Sequence, residues 1–111
     1  MGLLDHLFSR TPSGPAASLL GRWRLTEADG DLDLGEGVRM EFRRDGKLIY
    51  TTAAGYRDQV MVLTYRVEGD TLITDQSSAP RLERTKFTLL GANTLVLDYG
   101  GSHAWFERIG N

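Results

Sequence analysis

The chain has 111 residues, enough for one domain with a modest core that needs no covalent staples. It contains no cysteine, which excludes disulfides, thiolate metal ligands and a cysteine nucleophile and fits a reducing compartment. With 13 basic and 15 acidic residues the formal net charge is -2, which argues against a nucleic-acid partner, and no apolar run is long enough for a transmembrane helix.

The opening stretch MGLLDHLFSR has no basic leader and no long apolar stretch of the secretory kind. A cytoplasmic location and no stable membrane insertion are the expectations. Leu3, Leu4, Leu7 and Phe8 fall at helical spacing and predict a short amphipathic helix. So short a helix must pack on something, either over one end of a barrel or against the outside of a sheet. Pro12, Gly14 and Pro15 then break the helix and make a linker. Residues 1–20 are therefore read as helix and linker, and residues 21–111 as the folded unit.

From Gly21 onward the sequence alternates apolar and polar residues in short runs separated by turn residues, the pattern of antiparallel strands. The first run, Gly21 to Glu27, sets Trp23 and Leu25 on one face. An acidic connection, ADGDLDLGEG, leads to a second strand, Val38 to Arg44, with Val38, Met40 and Phe42 inward. Asp45-Gly46 predicts a two-residue hairpin turn. The third strand, Lys47 to Ala53, aligns Leu48, Tyr50 and Thr52. The fourth, Gln59 to Glu68, aligns Met61, Leu63, Tyr65 and Val67, and its other face carries Val60 and Val62. Gly69-Asp70 turns into a fifth strand, Thr71 to Asp75. The sixth, Arg81 to Leu90, aligns Glu83, Thr85, Phe87 and Leu89. The seventh, Thr94 to Tyr99, aligns Leu95, Leu97 and Tyr99. Gly100-Gly101 turns into the eighth, Ser102 to Ile109. Strands at hairpin spacing with no long helical pattern predict an all-β, up-and-down meander closed into a small antiparallel barrel, which removes exposed edges.

Three features together carry a family resemblance. The first strand opens Gly21-Arg22-Trp23, a G-x-W. The middle is a meander with turns at Arg44-Asp45-Gly46-Lys47 and Glu68-Gly69-Asp70-Thr71. The last strand holds Trp105-Phe106-Glu107-Arg108. From Gly21 to Ile109 the chain resembles the small bacterial lipocalin-like domains of the calycin superfamily. It is shorter than the transport proteins of that group and lacks their disulfide and C-terminal helix. The resemblance implies that Trp23 sits at the closed end of the barrel and that Arg108 packs across it as a structural lock. It also implies an interior suited to a small apolar ligand.

The residues themselves supply no organised catalytic set. His6 and His103 are far apart, and no spacing gathers a metal site around either. Asp29, Asp31, Asp33 and Glu36 begin like a calcium loop, but Leu34 and Met40 stand where such a loop needs Gly and Glu. A solvated loop held by Asx turns is the simpler reading. Ser102 and His103 are adjacent in a strand and so point to opposite faces, a poor arrangement for a nucleophile and its base. Arg22, Arg24, Arg39 and Arg43 form an outward stripe, interspersed with Glu27 and Glu41, that suits an ordinary charged surface. No catalytic residue, metal or cofactor is expected.

Met40, Phe42, Tyr50, Met61, Tyr65 and Phe87 are expected to line the interior, with Thr52, Thr74 and Thr85 as polar groups. Two readings stay open: a cavity that binds a small, mostly apolar molecule, and a filled core in a module that acts through its outer face. For the second, Trp105 with Val60, Val62 and Ile73 is expected to form an apolar patch that accepts the N-terminal helix or a second subunit in a homodimer.

Overall fold

A computed structural model describes residues 18–32, 37–54, 57–76 and 80–110. The expected N-terminal helix lies outside them. Eight strands run in chain order: β1 (Gly21–Ala28), β2 (Arg39–Phe42), β3 (Lys47–Ala54), β4 (Arg57–Glu68), β5 (Thr71–Asp75), β6 (Glu83–Leu90), β7 (Thr94–Tyr99) and β8 (Ser102–Gly110). Each pairs antiparallel with its sequence neighbours, and β8 pairs with β1 to close the ring. The meander arises because each alternating run is followed by a connection short enough to return the chain beside itself. Closure leaves no strand without two partners.

The β2–β3 connection differs from the expected two-residue turn. The last pair of the ladder is Phe42–Leu48 and β3 begins at Lys47, so Arg43–Gly46 form the turn. Arg43 N–H donates to Lys47 O at 2.9 Å and Gly46 N–H to Arg43 O at 3.2 Å. Gly46 ends the turn at φ +82°, a left-handed conformation that relieves the extra residues as a bulge. The same turn shortens β2 relative to the expected Val38–Arg44, although Val38 is still buried and its carbonyl accepts from Leu25 N–H at 2.9 Å.

The β1–β8 seam is irregular. Its register shifts between Arg22 and Trp23 and again between Leu25 and Glu27. Such bulges bend a strand and raise its twist, which a small closed ring requires. Thr26 Oγ1 stitches the second shift by donating to Trp105 O at 3.1 Å.

One half of the barrel interior is packed. Trp23, Phe42, Tyr65, Phe87, Leu95 and Phe106 are buried there. Phe42 and Tyr65 meet edge to face, with centroids 5.0 Å apart and planes at 84°. The cross-strand pairs Leu25–Phe106 and Leu95–Phe106 bring three strands onto one ring. Among the described residues, no buried side-chain nitrogen or oxygen lacks a hydrogen-bond partner.

Candidate functional site

The other half of the interior is open. A cavity of about 320 Å³ is walled by Met40, Leu48, Tyr50, Met61, Leu63 and Leu72, continuing through Leu97 and Tyr99 on β7. Thr74, Thr85 and Glu83 complete it from β5 and β6, and Leu32 approaches from the loop after β1. The wall is mostly aliphatic and aromatic, with few polar groups and one charged side chain.

Strand lengths explain why this end is open. β4 is 12 residues long and β5 only 5. Their pairing ends at Thr64–Asp75, so the stretch of β4 before Thr64 overhangs β5. Met61 lies on that overhang, and its partner across β3 is Tyr50, which in turn pairs with Met40. Met61 is 41% exposed although its position alternates inward, because no β5 residue stands beside it.

The expected lining residues therefore divide by depth. Met40, Tyr50 and Met61 border the cavity. Phe42, Tyr65 and Phe87 lie in the packed half and do not form its wall. Tyr65 is fixed there: its hydroxyl donates to Arg43 O at 2.8 Å and ties the β2–β3 turn across the closed end. Burial, with Asp45 nearby, pushes its phenol above the ordinary tyrosine range.

The cavity also holds Tyr99 and Glu83, which alternation sets in phase with the inward residues of their strands. Tyr99 follows Leu95 and Leu97 in phase, and Glu83 precedes Thr85 and Phe87 in phase, so alternation was the available signal. Burial raises the Tyr99 phenol well above its ordinary value, with Tyr50 and then the Glu83 carboxylate adding to the effect. Burial raises Tyr50 as well. Both hydroxyls thus keep their protons through the neutral range and can donate and accept hydrogen bonds at the mouth.

At the opposite end Arg108 lies over Trp23, its guanidinium carbon 4.3 Å from the ring centroid. A groove of about 810 Å³ runs beside it, bordered by Ser18, Leu20, Phe42, Arg44, Leu89 and Ala92. The Arg108 guanidinium there is committed to backbone carbonyls, and residues before Ser18 lie outside the described set, so the groove carries no functional reading.

The remaining polar candidates do not assemble into a reactive centre. Asp29 accepts from the His103 backbone N–H at 2.7 Å, and its carboxylate is 3.6 Å from His103 Nδ1. Ser102 Oγ donates to Asp31 and is not aimed at His103. His6, Asp33 and Glu36 lie outside the described residues, among which no three His, Asp or Glu side chains converge as a metal site. The arginine stripe is largely paired: Arg24 with Glu107, Arg39 with Asp58 at 3.0 Å and Arg43 with Asp45 at 2.8 Å.

The expected apolar patch does not form as one surface. Trp105 is on β8 and Val60 and Val62 are on β4, four strands away around an eight-stranded ring in either direction. They occupy opposite sides of the barrel. Trp105 is instead half-buried beside His103, with ring centroids 5.9 Å apart. Ile73 is only 2% exposed. Among the described residues no helix is long and apolar enough to cross a membrane.

Two solved structures share this architecture. A lipocalin-like protein from Bacteroides uniformis superposes with a TM-score of 0.69 over 83% of this chain and 99% of its own, at 17% identity. An uncharacterized protein from Bacteroides eggerthii gives 0.66 over 82% of this chain and 99% of its own, at 14% identity. At such identities the likeness establishes the lipocalin-like fold. No protein-family model matches the sequence, and no curated protein matches it.

Proposed function

We propose that this chain is a noncatalytic binding protein that holds a small, mostly apolar molecule in the open half of its barrel. The observation that carries the reading is the cavity of about 320 Å³, mostly apolar along its wall and bordered by Tyr50 and Tyr99. Its size falls at the lower end of the ~300–1,000 Å³ typical of small-molecule sites. An apolar wall supplies affinity without direction, and a few polar groups orient the occupant.

The test uses N-phenyl-1-naphthylamine, an uncharged apolar fluorophore, titrated into the purified protein. Saturable enhancement is expected, lost by about tenfold or more in Leu63→Trp, which places an indole in the cavity wall. Native mass spectrometry of protein purified gently from its own host should show an added mass of a few hundred daltons. An unresponsive fluorophore together with a clean apo mass would remove this reading.

A second reading is self-association through the outer face of β3 and β4. It rests on Val60 and Val62, 58% and 49% exposed, with Ile49 paired directly to Val62. Sedimentation of Val62→Lys beside the parent chain tests it: a dimer that the lysine dissolves supports this surface, and a parent monomer rejects it.

A further inference from the structure

Resting on the cavity reading above, we propose that the cognate occupant is an amphipathic amine: an alkyl or aryl body in the cup and an ammonium head at Glu83, flanked by Tyr50 and Tyr99. Glu83 is the one charged side chain bordering the cavity among the described residues, and no Lys or Arg borders it. A carboxylate head placed at this mouth would meet the Glu83 carboxylate, and the cation beside it, Arg81, is already paired with that acid at 3.3 Å. An ammonium head meets a carboxylate and two phenols, each an acceptor, and the tyrosine rings add their electron-rich faces. Tyr50 and Tyr99 keep their protons under the conditions in which an alkylamine carries its charge, so they stay neutral partners of the cation.

The surroundings of the mouth agree in sign. Asp29, Asp31 and Asp98 gather at the β7–β8 turn, on the same end of the barrel. Asp29 and Asp98 flank His103 at 3.6 and 3.9 Å, and none of the three acids has a Lys or Arg partner among the described residues. Asp58 is paired with Arg39 at 3.0 Å, and Glu83 with Arg81 at 3.3 Å. That second pair is open to water, with Arg81 82% exposed and Glu83 56%. An exposed pair of this kind is weak, and an incoming ammonium displaces it readily. The excess of acid at the rim attracts cations toward the opening.

The experiment displaces N-phenyl-1-naphthylamine with decylamine, decan-1-ol and sodium decanoate, each below its micellar concentration, at pH 7.5. Decylamine is expected to bind about fivefold or more tightly than decanol, and decanoate more weakly than either. Glu83→Gln should collapse the decylamine-to-decanol affinity ratio from about fivefold or more to near one, the ratio being the readout. Arg81→Gln should leave decylamine binding equal or tighter, because it frees Glu83. Equal binding of amine and alcohol, or tightest binding of decanoate, overturns the amine proposal and leaves the apolar cavity standing. A protein that never takes up the neutral fluorophore overturns both. Glu83 and Arg81 are exposed, so both variants should fold, and a parallel urea melt verifies it.

Discussion

The guanidinium of Arg108, on the last strand, covers the indole of Trp23, on the first, at 4.3 Å. The same guanidinium donates to Leu20 O at 2.5 Å, Ser18 O at 2.6 Å and Ala92 O at 3.0 Å. Trp23 Nε1 donates to Leu19 O at 2.9 Å. One cation thus serves three segments: the approach to β1, the β6–β7 turn and β8 itself. Trp23→Ala should cost about 3–5 kcal/mol, the range for removing a buried large aromatic. Arg108→Lys keeps the charge and loses the fork, and should cost about 1–3 kcal/mol. Urea melts of both variants measure this, and a loss below about 1 kcal/mol for Trp23→Ala would contradict its place in the core.

Gly21 opens the G-x-W with φ +121°, a conformation that side-chain-bearing residues rarely adopt. Gly21→Ala should destabilise the protein by about 1–3 kcal/mol through backbone strain, with the cavity unaffected. Denaturant midpoints and fluorophore affinity, read on the same variant, separate the two quantities.

Tyr65 and Tyr50 both point inward but should respond differently when the hydroxyl is removed. Tyr65→Phe deletes the donor to Arg43 O and should lower stability by about 1 kcal/mol, leaving fluorophore binding intact. Tyr50→Phe should change stability by less than about 0.5 kcal/mol and weaken amine binding. Equal stability losses in the two variants would show that the barrel does not divide into a packed half and an open half.

Tyr50, Tyr65 and Tyr99 ionise above the ordinary tyrosine range in the folded chain. The unfolded chain releases those protons first, near pH ~10. The stabilisation is therefore fully present below that pH and declines as pH rises toward the folded values. Urea melts between pH 8 and 11.5 should show a falling midpoint above about pH 10, with a shallower fall in Tyr99→Phe. Absorbance at 295 nm should show late-ionising tyrosines that become ordinary in urea. A midpoint flat to pH 11.5 would contradict the burial of these phenols.

Much of the ladder was legible in the amino-acid pattern. The limits of β5 and β7 coincide with the runs Thr71–Asp75 and Thr94–Tyr99; a glycine turn precedes β5 and glycine turns stand on both sides of β7. β6 begins at Glu83, later than the expected Arg81, where Asp75 Oδ1 accepts the Arg81 N–H at 2.8 Å and holds it in the loop. β4 begins at Arg57, earlier than the expected Gln59, because Ala53 and Ala54 extend β3 and give it partners. Alternation assigned faces correctly for Met40, Tyr50, Phe42 and Tyr65. It could not assign depth, because depth along a barrel axis follows from strand tilt and from which strand outreaches its neighbour. Those are properties of pairing between distant segments. Hence Phe42, Tyr65 and Phe87 share the inward face with residues that border a cavity they do not reach. Trp105 and Val62 make no common patch for a related reason: two outward residues share a surface only if their strands are close around the ring.

The β1–β8 seam also sets a condition on how the molecule forms. Arg24 and Glu107, which pair across it, are 83 positions apart. Hairpins along the meander can assemble as they leave the ribosome, but the seam must wait for the last strand. Until then β1 and β7 are both open edges, and Trp23 has no cover from Arg108. Long-range closures of this kind slow folding and expose chains to pairing with one another. Nascent chains halted before Ser102 should consequently be the species that chaperones hold and that aggregates recruit, and synthesis of one further strand should end both hazards together.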